Sequence, residues 1–270
     1  MLLENKVVII TGASRGLGAS MARVCADNGA RVVAAARSPE LLRTVTDDIK
    51  RAGGTSMPVA CDVSRMADLR RLVSEALEAY GRIDGLVNNA GVNYSKPVLE
   101  TTEEDWDRLM GVDLKGSFFL SQLCARQMVS QHPRGGSIVQ ISSVHSIASL
   151  PGAAPYDAAK HGLVGLAKAM AVELARDNVR VNVLSPGLCR TEIWKQIVAA
   201  APSEKECVEF WNANIPAERL IEPEEIANAC VFLLSGLSSS VTGANLVADL
   251  GMTSQLISTE PYRARNIEGV

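Results

Sequence analysis

The chain has no run of basic residues, no stretch approaching 18 apolar residues and no closely spaced pair of cysteines. Each absence excludes something. With scattered basic residues and a formal net charge of −3, no nucleic-acid or anionic-lipid surface is expected. Without a long apolar run, no membrane-spanning helix is expected. The six cysteines, Cys25, Cys61, Cys124, Cys189, Cys207 and Cys230, lie far apart and form no CxxC pair. They show no metal-ligand spacing and no disulfide framework, and most read as small apolar packing residues. The N-terminus lacks a secretory pattern, because the apolar run 7–10 is short, follows Lys6 and ends in Thr11-Gly12. A protein of the reducing cytoplasm, in contact with neither membrane nor nucleic acid, is the expectation. No low-complexity segment, linker or internal repeat divides the chain.

What the chain does have is length and apolar content. Its 270 residues, 47% of them hydrophobic, suffice for one large α/β domain. Short β-branched runs at 6–11, 31–36, 56–61, 85–88, 137–142, 179–185 and 245–248 predict seven strands. Several are nearly continuous in apolar character, as expected for parallel strands covered on both faces. Longer amphipathic stretches at 16–28, 39–52, 66–80, 102–131, 154–177 and 222–234 predict helices between them. Strand followed by helix, repeated, predicts a doubly wound, seven-stranded parallel sheet of the Rossmann kind in a single domain over 1–251. Residues 188–220 break the alternation and read as an irregular lid. Residues 252–270 form a C-terminal tail, expected to pack on a neighbouring subunit or near the mouth of the site.

Two local patterns carry chemistry. The first predicted strand runs into Thr11-Gly12-Ala13-Ser14-Arg15-Gly16-Leu17-Gly18 and then a helix. Glycines let the backbone turn tightly and approach a pyrophosphate, and the helix N-terminus offers free N–H groups to phosphate oxygens. The spacing is G-x-x-x-G-x-G, so Gly12, Ser14, Arg15, Gly16, Leu17 and Gly18 are candidate dinucleotide ligands. After the second strand the chain reads Ala34-Ala35-Ala36-Arg37, with no carboxylate for a ribose 2′-hydroxyl. Arg15 and Arg37 suit a 2′-phosphate instead, so NADP is preferred and NAD is the second choice.

The second pattern is Tyr156-Asp157-Ala158-Ala159-Lys160, with Ser143 thirteen residues before the tyrosine. Four residues is about one helical turn, so phenol and ammonium share a face. A nearby cation favours the phenolate, which lets a tyrosine exchange a proton with a carbonyl or alcohol oxygen. A serine hydroxyl aimed at that oxygen would hold it. Ser142 is the alternative, one residue off in spacing.

Together these patterns resemble the short-chain dehydrogenase/reductase family in its single-domain, 3-oxoacyl-reductase-like form. The resemblance spans about 6–251 and rests on Thr11 to Gly18, Asp62, Asn88-Asn89-Ala90-Gly91, Ser143, Tyr156 to Lys160, and Pro186-Gly187 with Thr191. It implies that Asp62 and Val63 contact the adenine, and that Asn88, Asn89, Ala90 and Gly91 support the central strand and the cofactor. Tyr156 would be the acid/base, Lys160 would bind the nicotinamide ribose, and Ser143 would orient the carbonyl. Pro186, Gly187 and Thr191 would line the nicotinamide. It further implies a homotetramer or homodimer paired through the helices at 102–131 and 154–177. One departure concerns catalysis: Asp113, in Gly111-Val112-Asp113-Leu114, stands where the family usually has a relay asparagine. A carboxylate there would share the charge of Lys160 and shift the pH optimum while the relay survives. A second departure is Asp249-Leu250-Gly251 where the family often has Asp-Gly-Gly.

The implied reaction is reversible hydride transfer between NADP(H) and a carbonyl or secondary alcohol. By analogy Asn93, His145, Leu150, Leu188 and Cys189 face the substrate. Ile193, Trp194, Ile197, Phe210 and Trp211 are expected to come from the lid, a lining suited to a 3-oxoacyl group or another largely apolar ketone. His145 reads equally as a solvated loop residue. The alternative function is a non-catalytic NADP-binding sensor or structural partner.

Overall fold

The computed structural model describes residues 1–256, and the predicted tail beyond residue 256 lies outside the described residues. Seven parallel strands form one sheet in the order β3-β2-β1-β4-β5-β6-β7. They are β1 (Val7–Thr11), β2 (Arg31–Ala36), β3 (Thr55–Ala60), β4 (Gly85–Asn88), β5 (Gly136–Ile141), β6 (Val179–Pro186) and β7 (Asn245–Ala248). The helices are α1 (Gly16–Asp27), α2 (Pro39–Arg51), α3 (Met66–Tyr80), α4 (Glu103–Met110), α5 (Ser117–Ser130), α6 (Ala154–Leu174), α7 (Glu192–Ala200), α8 (Glu204–Ala213) and α9 (Pro223–Leu234).

The continuous apolar strands are explained by two cores. Because side chains alternate along a strand, Val8 and Ile10 of β1 face one layer, with α1, α2 and α9, while Val7 and Ile9 face the other, with α3, α5 and α6. All four are essentially inaccessible to solvent. Strand order reverses at the β1–β4 pair, and in such sheets ligands bind beyond the carboxyl ends of the strands at that crevice. The glycine loop after β1 and the Asn88 to Gly91 segment after β4 both emerge there.

Two elements differ from the sequence expectation. The single helix predicted at 102–131 is broken into α4 and α5 by a π-helical turn, Gly111–Gly116, that contains Asp113. Such turns add a residue to one helical turn and are common at functional positions. Gly116 packs so closely on the Val63 carbonyl that a Cβ there would overlap it. The segment 188–220, expected to be irregular, contains α7 and α8. Their buried residue Trp194 packs with Ile215 and Leu220, and with half-buried Ile197 and Trp211, into a small core of its own. Three of the residues expected to line the substrate therefore serve first to hold the lid together. Ile193 and Phe210 remain exposed.

Leu250 joins this lid core to the main one, and it does so from a left-handed backbone conformation, φ 56°. That conformation costs a branched side chain of order 1–2 kcal/mol, which explains why glycine would be the easier choice. The apolar contact on both sides offsets the strain.

Candidate active site

The glycine loop is shaped by close approaches. Gly12 and Gly16 have φ of 65° and 55°, the left-handed region where glycine is unstrained. A Cβ on Gly12 would lie 2.8 Å from Asn89 Nδ2, and one on Gly18 would overlap the Gly12 carbonyl. Asn89 Nδ2 donates to Thr11 O at 2.9 Å and Gly12 O at 3.4 Å, while Thr11 Oγ1 accepts from the backbone N–H groups of Asn89 and Ala90 at 3.0 Å each. These bonds weld the ends of β1 and β4 together and leave the amino end of α1 clear. A Cβ at Gly16 would be 3.8 Å from the Thr191 side chain, so the residue that precedes α7 closes over the loop. The cradle fits a group that lies flat against backbone, as a pyrophosphate does.

The remaining sequence candidates sit around this cradle. Ser14 and Leu17 are half-buried, whereas Arg15 caps α1 in solvent and Arg37 stands exposed just past β2. Neither arginine forms an ion pair among the described residues. Asp62 accepts from Ser64 N–H at 3.0 Å and from its hydroxyl at 2.7 Å, so its carboxylate is used in a local turn. Val63 is half-buried against Gly116. Asn88 Nδ2 donates to Ser117 O at 3.2 Å and Ser121 Oγ at 2.8 Å, tying β4 to α5. Pro186 pairs with Ala248, and Gly187 donates to Ala248 O at 2.9 Å, with no room for a Cβ beside Asp249. Burial pushes the nearby Cys189 thiol up to about 12, so it is not poised as a thiolate nucleophile.

Lys160 is the centre of the chemistry. It is buried on α6, with its ammonium 5.2 Å from the centroid of the Tyr156 ring. Nζ donates to the Ile141 carbonyl at 3.3 Å and lies 3.1 Å from Asp113 Oδ2. That last contact is Coulombic rather than directed, because Oδ2 ends fully buried without an aligned donor. Asp113 Oδ1 accepts from Val92 N–H at 2.8 Å, and Gly91 gives the carboxylate space, since a Cβ there would be 3.0 Å from Oδ2. Burial alone would push the Lys160 ammonium down, but the charges of Tyr156 and Asp113 outweigh it and hold Lys160 above its ordinary value.

Ser143 follows β5 and caps the short turn Val144–Ser146, with its Oγ accepting from His145 N–H at 3.2 Å. An acceptor role toward the backbone leaves the hydroxyl proton free to donate. The neighbouring Ser142, the sequence alternative, turns inward and donates to Lys160 O at 3.0 Å. It stitches β5 to the helix that carries the tyrosine and lysine. His145 is not a solvated loop residue: its ring packs edge-on to Tyr156 with centroids 5.2 Å apart. Thr11 and Asp157 lie inside the two sequence patterns, but spacing assigns them no role. The structure thus gathers Ser143, Tyr156, Lys160 and Asp113 at the strand ends beside the glycine cradle.

The profile of the family described as enoyl-(acyl carrier protein) reductase matches residues 12–253. The chain belongs to the short-chain dehydrogenase/reductase family. It is 37% identical over 252 residues to the 3-oxoacyl-acyl-carrier-protein reductase FabG of Thermotoga maritima, covering 93% of this chain and 99% of that one. It is 38% identical over 256 residues to the meso-2,3-butanediol dehydrogenase of Serratia marcescens, covering 94% and 96%. Among solved structures, an actinorhodin polyketide ketoreductase with NADPH superposes with a TM-score of 0.89 at 31% identity, covering 93% and 98%. As a short-chain dehydrogenase/reductase, this protein is a nicotinamide-dependent oxidoreductase acting on CH–OH or C=O groups. Among the described residues no helix is long and apolar enough to cross a membrane.

Proposed function

We propose that this short-chain dehydrogenase/reductase interconverts a ketone and its secondary alcohol with NADP(H) in preference to NAD(H). The observation that carries the chemistry is the buried Lys160 ammonium, fixed by the Ile141 carbonyl and Asp113 beside the Tyr156 ring. A nicotinamide bound in the cradle would supply or accept the hydride. In reduction Tyr156 gives its hydroxyl proton to the oxygen that becomes the alcohol, and Ser143 donates a hydrogen bond to the same oxygen. Lys160 would hold the nicotinamide ribose and keep a positive field on the phenol. Thr191, Pro186 and Gly187 would close over the nicotinamide. Support for a largely apolar substrate comes from Ile147, Leu150, Ile193 and Phe210, exposed apolar side chains on the segments before α6 and after Thr191. Pairing with further copies through α5 and α6, as a dimer or tetramer, belongs to the same reading. It is supported by Val172, which α6 leaves 81% exposed.

The reading is tested by following cofactor oxidation with a panel of ketones, including a 3-oxoacyl ester, with NADPH and NADH side by side. Turnover that depends on Tyr156 is expected. A panel with no turnover at all would remove the reading.

Preference for NADP rests on Arg15 and Arg37, two exposed guanidinium groups without a carboxylate partner among the described residues. Arg37→Asp is expected to lower the NADPH-to-NADH ratio of kcat/KM by about tenfold or more, as one charge-assisted contact to a 2′-phosphate is lost and a repulsion gained. An unaltered ratio would show that the arginine does not read the cofactor.

Asp113 makes a second expectation. Lys160 is held above its ordinary value, so its contribution to stability is complete below the unfolded lysine value of ~10.4 and is lost as pH rises through the folded one. Asp113→Asn deletes one upward push, so that loss ends at a lower pH. It also leaves the lysine charge undivided toward Tyr156. The pH–rate profile for alcohol oxidation is therefore expected to move to lower pH in the variant. Superimposable profiles would mean that the carboxylate is inert.

A further inference from the structure

The His145 side chain is not explained by the proton relay. It leaves the short turn after β5, packs edge-on against Tyr156, and places Nδ1 2.6 Å from Asp157 Oδ1. Asp157 is the next residue to Tyr156 on the first turn of α6, so two consecutive residues grip one imidazole. The other carboxylate oxygen, Oδ2, accepts from the Ser149 hydroxyl. His145 is half-buried, with its side chain 20% accessible.

The carboxylate determines the tautomer. A carboxylate only accepts, so the proton of the neutral ring sits on Nδ1. Nε2 then carries the lone pair. It has no partner among the described residues, yet it is not sealed in the core, where the orphaned side-chain atoms are only Asp113 Oδ2 and Gln140 Oε1. An oriented acceptor thus stands open to solvent beside the tyrosine. The same residue's backbone N–H holds Ser143 Oγ at 3.2 Å. Through its ring and its backbone His145 therefore touches both residues whose hydroxyls would meet the reacting oxygen.

We infer that His145 is a specificity-determining residue whose Nε2 accepts a hydrogen bond from a second hydroxyl, on the carbon next to the reacting one. The substrate class is then an α-hydroxy ketone and its vicinal diol. This inference rests on the oxidoreductase reading above and narrows it. A 3-oxoacyl group carries only C–H groups on the carbons beside its ketone, and its C1 carbonyl, one carbon further, only accepts, so neither can donate to a neutral Nε2. A vicinal hydroxyl can. Asp157 acts through His145 as a positioning residue, fixing which ring nitrogen faces the substrate.

The test compares NADPH-dependent reduction of acetoin, 2-butanone and methyl acetoacetate by the wild type, His145→Phe, His145→Gln and Tyr156→Phe. Phenylalanine keeps the ring against Tyr156 and removes the acceptor. Glutamine keeps an acceptor carbonyl, and thermal melts check that each variant is folded. The wild type is expected to favour acetoin over 2-butanone in kcat/KM. His145→Phe is expected to reduce that ratio by about tenfold or more, mostly through KM, with partial recovery in His145→Gln. A ratio equal in wild type and His145→Phe, or a wild type that favours 2-butanone or methyl acetoacetate, would overturn the inference and leave the oxidoreductase reading standing. A wild type that reduces none of the three ketones would overturn the oxidoreductase reading, and the inference with it, whereas undiminished reduction by Tyr156→Phe would remove only the tyrosine from the chemistry.

Discussion

Replacing Tyr156 with phenylalanine is expected to lower kcat for ketone reduction by about 10²–10⁴-fold, the range for losing a positioned proton donor. The substitution deletes one oxygen and little else. The ring packs with Leu109, Ala159 and the half-buried Met110 and Leu114, contacts that phenylalanine reproduces. Lys160 keeps its bond to Ile141 O and its pairing with Asp113. The cofactor dissociation constant, read by titrating NADPH fluorescence, is therefore expected to change little, and the melting temperature likewise. A variant with near-wild-type turnover would remove Tyr156 from the chemistry. A variant that loses turnover together with cofactor affinity would make the tyrosine a binding residue.

The second large effect is expected from Gly18→Ala. An added methyl would overlap the Gly12 carbonyl and lie 2.6 Å from Asn89 Nδ2. Neither obstacle is a flexible chain end. One is the backbone of the cradle, and the other is the amide that joins β1 to β4. Relief requires the amino end of α1 to back away from the glycine loop, at about 1–3 kcal/mol for overpacking of this kind. Because the same amino end would meet the phosphates, NADPH affinity is expected to fall by roughly 10–100-fold. The cost falls on the cradle more than on either core, so far-ultraviolet circular dichroism should stay unchanged. Wild-type affinity in a folded variant would separate α1 from cofactor binding.

The fold was legible because its signals are long-range in kind but local in form. Seven β-branched runs and a strand–helix alternation require a parallel sheet, and the observed strands match the sequence boundaries to within one residue at each end. The glycine loop was legible because positive φ and close backbone approach both demand glycine. The π-helical turn was not, since Gly111 to Gly116 carries the same apolar periodicity as a regular helix and only contact with Val63 shows the extra residue. The lid helices were hidden because they are short and bury their apolar side chains against one another. Asp157 illustrates a different limit. An acidic residue in a first helical turn has a sufficient explanation in the helix dipole. Only the folded chain shows that its carboxylate is spent on His145.

The stitching of β5 to α6 has a consequence for how the enzyme can fail. Ser142 reaches across to the Lys160 carbonyl and the Lys160 ammonium reaches back to the Ile141 carbonyl, so each element holds the other in place. The proton-handling groups have no local freedom apart from the central sheet. Heat inactivation and loss of architecture should then be one cooperative event, with no folded but idle population preceding it.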